Sequence, residues 1–238
     1  MNALIGLLRL ELTIQRRSFL YPATVVTTGL IAVVALMLPA RPAPPRLAAF
    51  LVFLDPATIG LSFVGALVLM ERTQGTLAAL GVTPVRPAGY LAAKALTLTV
   101  PTLVSGLVVL AVATRGAFDP FRAGIALTLS SAVAVLIGLW CVAPAASMNH
   151  LVVRLLWVST LLYLPLLGHF GVAPPAVRAA LAPIPSHAML VTLSSAADPG
   201  AVSARALVAA AAYLVLWIVV GCWRALSAFE AAMVTEGR

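Results

Sequence analysis

Charge is what this chain has least of: 9% of its 238 residues are Asp, Glu, Lys or Arg, and Lys94 is its single lysine. A soluble domain carries about 25% charged residues, and a globule of this size shows mostly surface. With so little charge to place there, a soluble fold is excluded. The shortage of lysine also excludes ATP hydrolysis by a P-loop, which ends in Gly-Lys-Ser/Thr to cradle phosphates; Lys94 follows Ala93. The seven acids are scattered, and His150, His169 and His187 share no ligand spacing and have no acid close by in sequence. No metal site, no hydrolase chemistry and no catalytic residue is therefore expected. Cys141 and Cys222 sit in apolar runs as two small hydrophobes, with neither a disulfide nor a metal spacing. The first residues, "MNALIGLLRLELTIQRR", lack both an early basic region and a small-residue cleavage site, so they do not read as a cleaved signal peptide.

What is present is hydrophobic: 62% of residues, with a mean hydropathy of +1.09. A bilayer span needs about 20 apolar residues, and six segments qualify, near 21–38, 47–70, 95–114, 123–146, 155–177 and 206–223. In lipid an unpaired backbone N–H or C=O costs several kcal/mol, so all six are expected to be helices. Residues 1–238 read as one transmembrane domain of an all-α integral membrane protein. The net charge of +8 comes from single basic residues flanking apolar runs. That pattern suits lipid headgroups and excludes a nucleic-acid surface. With the N-terminus inside, nine basic residues lie on the inner side and six outside, which places both termini in the cytoplasm.

Three segments stand outside this pattern. Before the first span, Asn2, Arg9, Thr13 and Arg16 share one helical stripe, while Leu4, Leu7, Leu8 and Leu12 lie on much of the opposite side. This predicts an amphipathic interfacial helix turning into the membrane near Tyr21-Pro22; because Glu11 interrupts the apolar face, a first span that starts early stands beside it. Residues 171–205 are too rich in proline to span and too apolar for an ordinary loop. They read as short re-entrant or interfacial helices before the last span, or as an external loop. Asp55 is the one acid inside an apolar run. An ionisable residue at that depth is a candidate for carrying a proton or meeting a cationic substrate, but Pro56 follows it near the outer interface, where a capping or kink-associated role is the plainer reading.

The stretch "ERTQGTLAALGVTP", residues 71–84, concentrates charge between two apolar runs. Glu71 and Arg72 end the second span, Gly75 permits a sharp turn, and Thr76 caps a short helix that stops at Gly81. Thr83-Pro84 then starts a helix that climbs into the third span, with Lys94 snorkelling at the inner headgroups. The result is a compact knuckle, with a plain interfacial turn as the simpler alternative.

A Glu-led Gly-Thr-Leu motif followed by Pro resembles the mark of type-2 ABC transporter membrane subunits, and the run "MERTQGTLAALGVTPVRPAGYLAAKALTLT" is most similar to small bacterial permeases for fluoroquinolone and other drug export. The six spans, the amphipathic first helix and the broken segment before the last span match the same layout. The resemblance implies a permease subunit in a bacterial cell membrane that binds no cofactor itself. ATP and Mg would be held by a separate ATP-binding subunit docking on Glu71, Arg72, Gly75, Thr76, Leu77 and Pro84. Thr73 and Gln74 stand where many members carry a second acid, so no detailed charge pairing with the ATPase is carried over. Six spans are too few to enclose a path, so a second permease subunit is expected, identical or related. Asp55, Thr58, Ser62 and Ser159 are candidates for the substrate pathway, in a greasy wall suited to hydrophobic or amphiphilic cargo. A haem-exporter-like or lipid or polysaccharide permease remains open beside drug export. So does a proton-coupled carrier using Asp55, although such a carrier predicts inverted repeats that are not seen here.

Overall fold

The computed structural model describes residues 2–38, 42–75 and 87–236. All regular structure among them is helical. Helix α1 (Asn2–Arg17) is separated by a break at Ser18 and Phe19 from α2 (Leu20–Met37). A second rod joins α3 (Pro45–Asp55), a π-helical stretch (Pro56–Phe63) and α4 (Val64–Thr73). After it come α5 (Pro87–Thr114), α6 (Pro120–Val142), α7 (Met148–Tyr163), α8 (Pro165–His169), α9 (Pro175–Leu181), α10 (Pro185–Ala197) and α11 (Ala204–Glu236).

Among the described residues, six rods are long and apolar enough to cross a membrane: Leu20–Met37, Pro45–Thr73, Pro87–Thr114, Pro120–Val142, Met148–His169 and Ala204–Glu230. The all-α membrane fold with six spans is thus what the sequence predicts. Several boundaries differ: the third rod begins at Pro87 and the fifth at Met148, each several residues before the expected start, the fifth ends at His169 short of 177, and the last runs past 223 to Glu230. Polar flanks such as Lys94 and Arg154 end an apolar run without ending the backbone hydrogen-bond ladder. Local chemistry sets the true starts. Asp119 Oδ1 accepts from the N–H groups of Phe121 and Arg122, both at 3.0 Å, with Pro120 in the first turn of α6. Ser147 accepts from the His150 N–H at 3.3 Å to start α7.

Helix α6 is the centre of the bundle and packs against α4, the π-helical stretch, α5, α10 and α11. Small residues allow the closest of these approaches. A Cβ placed on Gly138 would lie 2.6 Å from the Leu61 carbonyl oxygen and 2.3 Å from Val64 Cγ1, so only glycine fits against that backbone. Gly138→Ala should therefore lower stability by about 1–3 kcal/mol through overpacking. Gly124→Ala, where an added Cβ meets nothing within 4 Å, should leave it unchanged. Thermal unfolding in detergent would separate the two, and equal midpoints would refute the packing account.

Residues 171–205 form no free external loop. Helices α9 and α10 are bent by 102° against each other, and α10 is buried along nearly its whole length. The Tyr213 hydroxyl donates to the Pro183 carbonyl, which lies at the bend. Tyr213 is nine residues into α11, so at 1.5 Å per residue the bend sits about 14 Å below the start of that helix. At the other end of α10, the Asp119 N–H donates to the Ala196 carbonyl at 3.0 Å. Helix α9 carries no buried residue, so α10 alone lies inside the protein, where non-spanning backbone is tolerated.

Helix α1 is a separate helix, as its polar stripe suggests, and its buried side is the apolar face along the line where Glu11 and Gln15 interrupt it. Leu7, Glu11 and Gln15 are buried at four-residue spacing, while Leu10 and Leu12 are exposed. The helix docks through polar groups that find partners, chiefly on α5. Outward-facing valines and leucines on α2, α7 and α11, among them Val25, Val26, Leu156, Val215 and Val219, give the bundle its apolar perimeter.

Candidate functional site

Three sequence-distant charges meet at the end of the bundle where α1, the end of α4 and the start of α5 converge. Lys94 Nζ on α5 donates to Glu71 Oε1 on α4 at 2.6 Å and to Glu11 Oε2 on α1 at 3.0 Å. The Tyr90 hydroxyl, one turn before Lys94, donates to Glu71 Oε2 at 2.5 Å. Lys94 is 0% exposed and lies 5.0 Å over the Tyr90 ring. The expectation that Lys94 snorkels to headgroups is therefore corrected: its ammonium turns inward, because two carboxylates and an aromatic face replace the water it would otherwise seek. A second rung lies beside the first. Gln15 Nε2 donates to Thr97 Oγ1 at 2.7 Å, and the Tyr21 hydroxyl reaches Gln15 Oε1 at 3.3 Å. Positions 11 and 15 of α1 thus face positions 94 and 97 of α5, the four- and three-residue spacings of two opposed helix faces.

Arg72 points away from this cluster. Its guanidinium donates to the carbonyls of Ala143 at 2.8 Å, Ala145 at 3.2 Å and Val142 at 3.4 Å, and stands 5.9 Å over the Phe229 ring. These carbonyls close α6, where the last turn leaves acceptors unpaired and the helix dipole favours a cation. The end of α4 is thereby fastened to α6 by Arg72 and to α5 by Glu71, with Lys94 carrying the link on to Glu11 of α1. Just beyond, Gly75 takes φ +72°, donating its N–H to the Arg72 carbonyl at 3.0 Å. The left-handed turn that the sequence assigns to Gly75 is present. Thr76, Leu77 and Pro84 lie outside the described residues, as do the predicted caps and short helix between Gly75 and Pro87. Of the motif, then, the structure places Glu71, Arg72 and Gly75, with Glu71 buried in the base rather than displayed to a partner.

The candidate pathway residues do not form one site. Asp55 is fully buried and accepts from the Ser105 hydroxyl of α5. It makes no side-chain cap to the helical stretch that follows, so the capping role is corrected to an interhelical one. Ser62 is exposed, and the part-buried Ser159 donates to its own helix at Leu155, 2.6 Å away. Seven residues make almost two α-helical turns, which would put Asp55 and Ser62 on one face; the π-helical stretch between them widens the turn and separates them. The Thr58 side chain falls outside the described part of that stretch. Among the described residues, no three His, Cys, Asp or Glu side chains gather as metal ligands.

Glu11 and Gln15 are the functional candidates that sequence reading passes over. The signal was available: two polar residues four apart on the otherwise apolar side of the N-terminal helix, at the depth of the only lysine.

Residues 2–237 match the fluoroquinolones export permease protein family. Two fluoroquinolones export permease proteins of Mycobacterium tuberculosis, from strains CDC 1551 / Oshkosh and H37Rv, are each 32% identical to this chain over 202 residues, covering 83% of it and 82% of their own length. No solved structure matches. With a helical bundle of six apolar rods and a match that runs nearly end to end, this chain belongs to the fluoroquinolones export permease family.

Proposed function

We propose that this chain is the membrane subunit of an ATP-driven exporter of drugs or other hydrophobic and amphiphilic compounds, energised by a separate ATP-binding subunit that docks on residues 71–84. The observation that carries this reading is the anchored base of that segment. Glu71 and Arg72 tie it to α5 and α6, and Lys94 carries the tie on to α1, so a push on the segment reaches all three as well as its own rod. A loop that only joined two spans would need no such fastening. The absence of a P-loop in the sequence gives a partner ATPase, with its ATP and Mg, a role to fill.

In this reading the termini and the 71–84 segment face the cytoplasm of a bacterial cell membrane. Closure of two ATPase subunits tilts the second and third spans and converts an inward-open cleft to an outward-open one. A second permease subunit, the same or related, completes the cleft. Glu71, being buried, works as an anchor, and direct contact with the ATPase falls to the residues beyond Gly75. The family and the names of its Mycobacterium tuberculosis members favour drug export over haem, lipid or polysaccharide export.

The test is co-purification in mild detergent from the native cells. A P-loop ATPase should accompany the tagged permease and be lost when residues 71–84 are scrambled. The reading fails if the chain purifies without an ATPase and transports in ATP-free vesicles. Loss of that transport in Asp55→Asn would then identify a proton-coupled carrier, the alternative that the fully buried Asp55 keeps specific.

A further inference from the structure

The charges at the base of the segment do not balance. Two carboxyls, Glu11 and Glu71, share one ammonium, Lys94, and their side chains are 3%, 1% and 0% exposed. The other charged and titratable groups described nearby are engaged elsewhere. Arg72 on α4 is directed to the carbonyls that end α6. Arg9, Arg16 and Arg17 on α1 and Glu230 on α11 are exposed, and Arg224 on α11 stacks over Trp223. Tyr21 on α2 reaches Gln15, and Tyr90 on α5 donates to Glu71. With every group ionised, the cluster buries one uncompensated negative charge, which a low-polarity interior removes by taking up a proton.

Geometry selects the carboxyl that takes it. Glu71 receives two donors, at 2.6 and 2.5 Å, one on each oxygen. Glu11 shares only Lys94, at 3.0 Å. Two donors stabilise the anion of Glu71, so the proton belongs on Glu11. We propose that this base is a single-proton binding site, in which Glu11 holds the proton while α1 is docked and releases it to water when α1 lifts away. Burial indeed pushes the Glu11 carboxyl above the usual carboxylate range, with Lys94 opposing the rise and Glu71 adding to it. The docked helix binds the proton more tightly than the free one. Docking is therefore fullest below the ordinary glutamate value of about 4.3 and weakens as pH rises through the docked value. The site belongs to the permease alone and does not depend on the identity of the energy source.

Hydrogen exchange read by mass spectrometry on the full-length permease in lipid nanodiscs tests it, since both faces then share one pH. After correction for the intrinsic pH dependence of exchange, protection of peptides from α1 should fall as pH rises above the ordinary glutamate value, by at most tenfold per pH unit for one proton. Peptides from α10 should not follow. Glu11→Gln keeps an acceptor for Lys94 without the charge and should hold α1 protected across the range. Flat protection of wild-type α1 would overturn the proposal, and so would a Glu11→Gln variant that tracks the wild-type curve. Should that variant fail to fold, the wild-type series decides alone.

Discussion

Lys94→Met is expected to cost more stability than any other single substitution on the surface of α5. Methionine keeps the length and the apolar stem but leaves the carboxyls of Glu11 and Glu71 facing each other inside the protein, with no cation between them. Removing one partner of a buried ion pair costs about 3–5 kcal/mol, a large fraction of the roughly 5–15 kcal/mol that holds a domain together. The expected readout is a sharp fall in detergent-soluble yield and in the unfolding midpoint. The triple variant Glu11→Gln, Glu71→Gln, Lys94→Met should recover much of that loss, because replacing a whole buried ionic group by neutral residues is often close to neutral. A Lys94→Met protein as stable as the wild type would mean that the three side chains do not meet as described.

Gly75→Pro should have the second largest effect, on coupling and not on folding. Gly75 sits at φ +72° and donates its N–H to the Arg72 carbonyl; proline is locked near φ −65° and has no N–H to give. The turn must then open, at a strain of about 3 kcal/mol if it is forced to stay. Because the position is exposed and outside the core, insertion and folding should survive. In the proposed complex with an ATPase, ATP turnover should persist while transport falls by tenfold or more, the equivalent of about 1.4 kcal/mol lost from the coupled step. Equal losses in both activities would point to failed assembly, and unchanged transport would remove the 71–84 segment from the transmission path.

The two variants divide the site in a way the sequence only half shows. Gly75 was legible because a glycine after a polar helix end is a local signal, fulfilled within one turn. Arg72 was legible as a charge at the end of a span, but not its seat on the carbonyls of α6, seventy and more residues away. Lys94 was misread for the same reason. Hydropathy reports the depth of a side chain along the membrane normal and is silent on the direction it takes around the helix. The sequence does not show which of Asp55 and Ser62 faces inward: a seven-residue spacing implies one face only while the helix keeps 3.6 residues per turn, and the π-helical stretch does not, so Asp55 is buried and Ser62 exposed.

The sequence by itself determined that this is a six-span helical membrane protein with a charged segment between the second and third spans. Those features follow from run length, backbone satisfaction in lipid and local turn chemistry, all of which act over about twenty residues or fewer. Only the tertiary structure decided that Glu11, Glu71 and Lys94 share one buried cluster, that α1 docks through Glu11 and Gln15 on its otherwise apolar side, and that residues 185–197 pack inside the bundle. Those contacts join positions 23 and 83 residues apart around Lys94 alone. Their energy comes from the attraction among charges already withdrawn from water, which offsets the cost of withdrawing them only once the helices have packed.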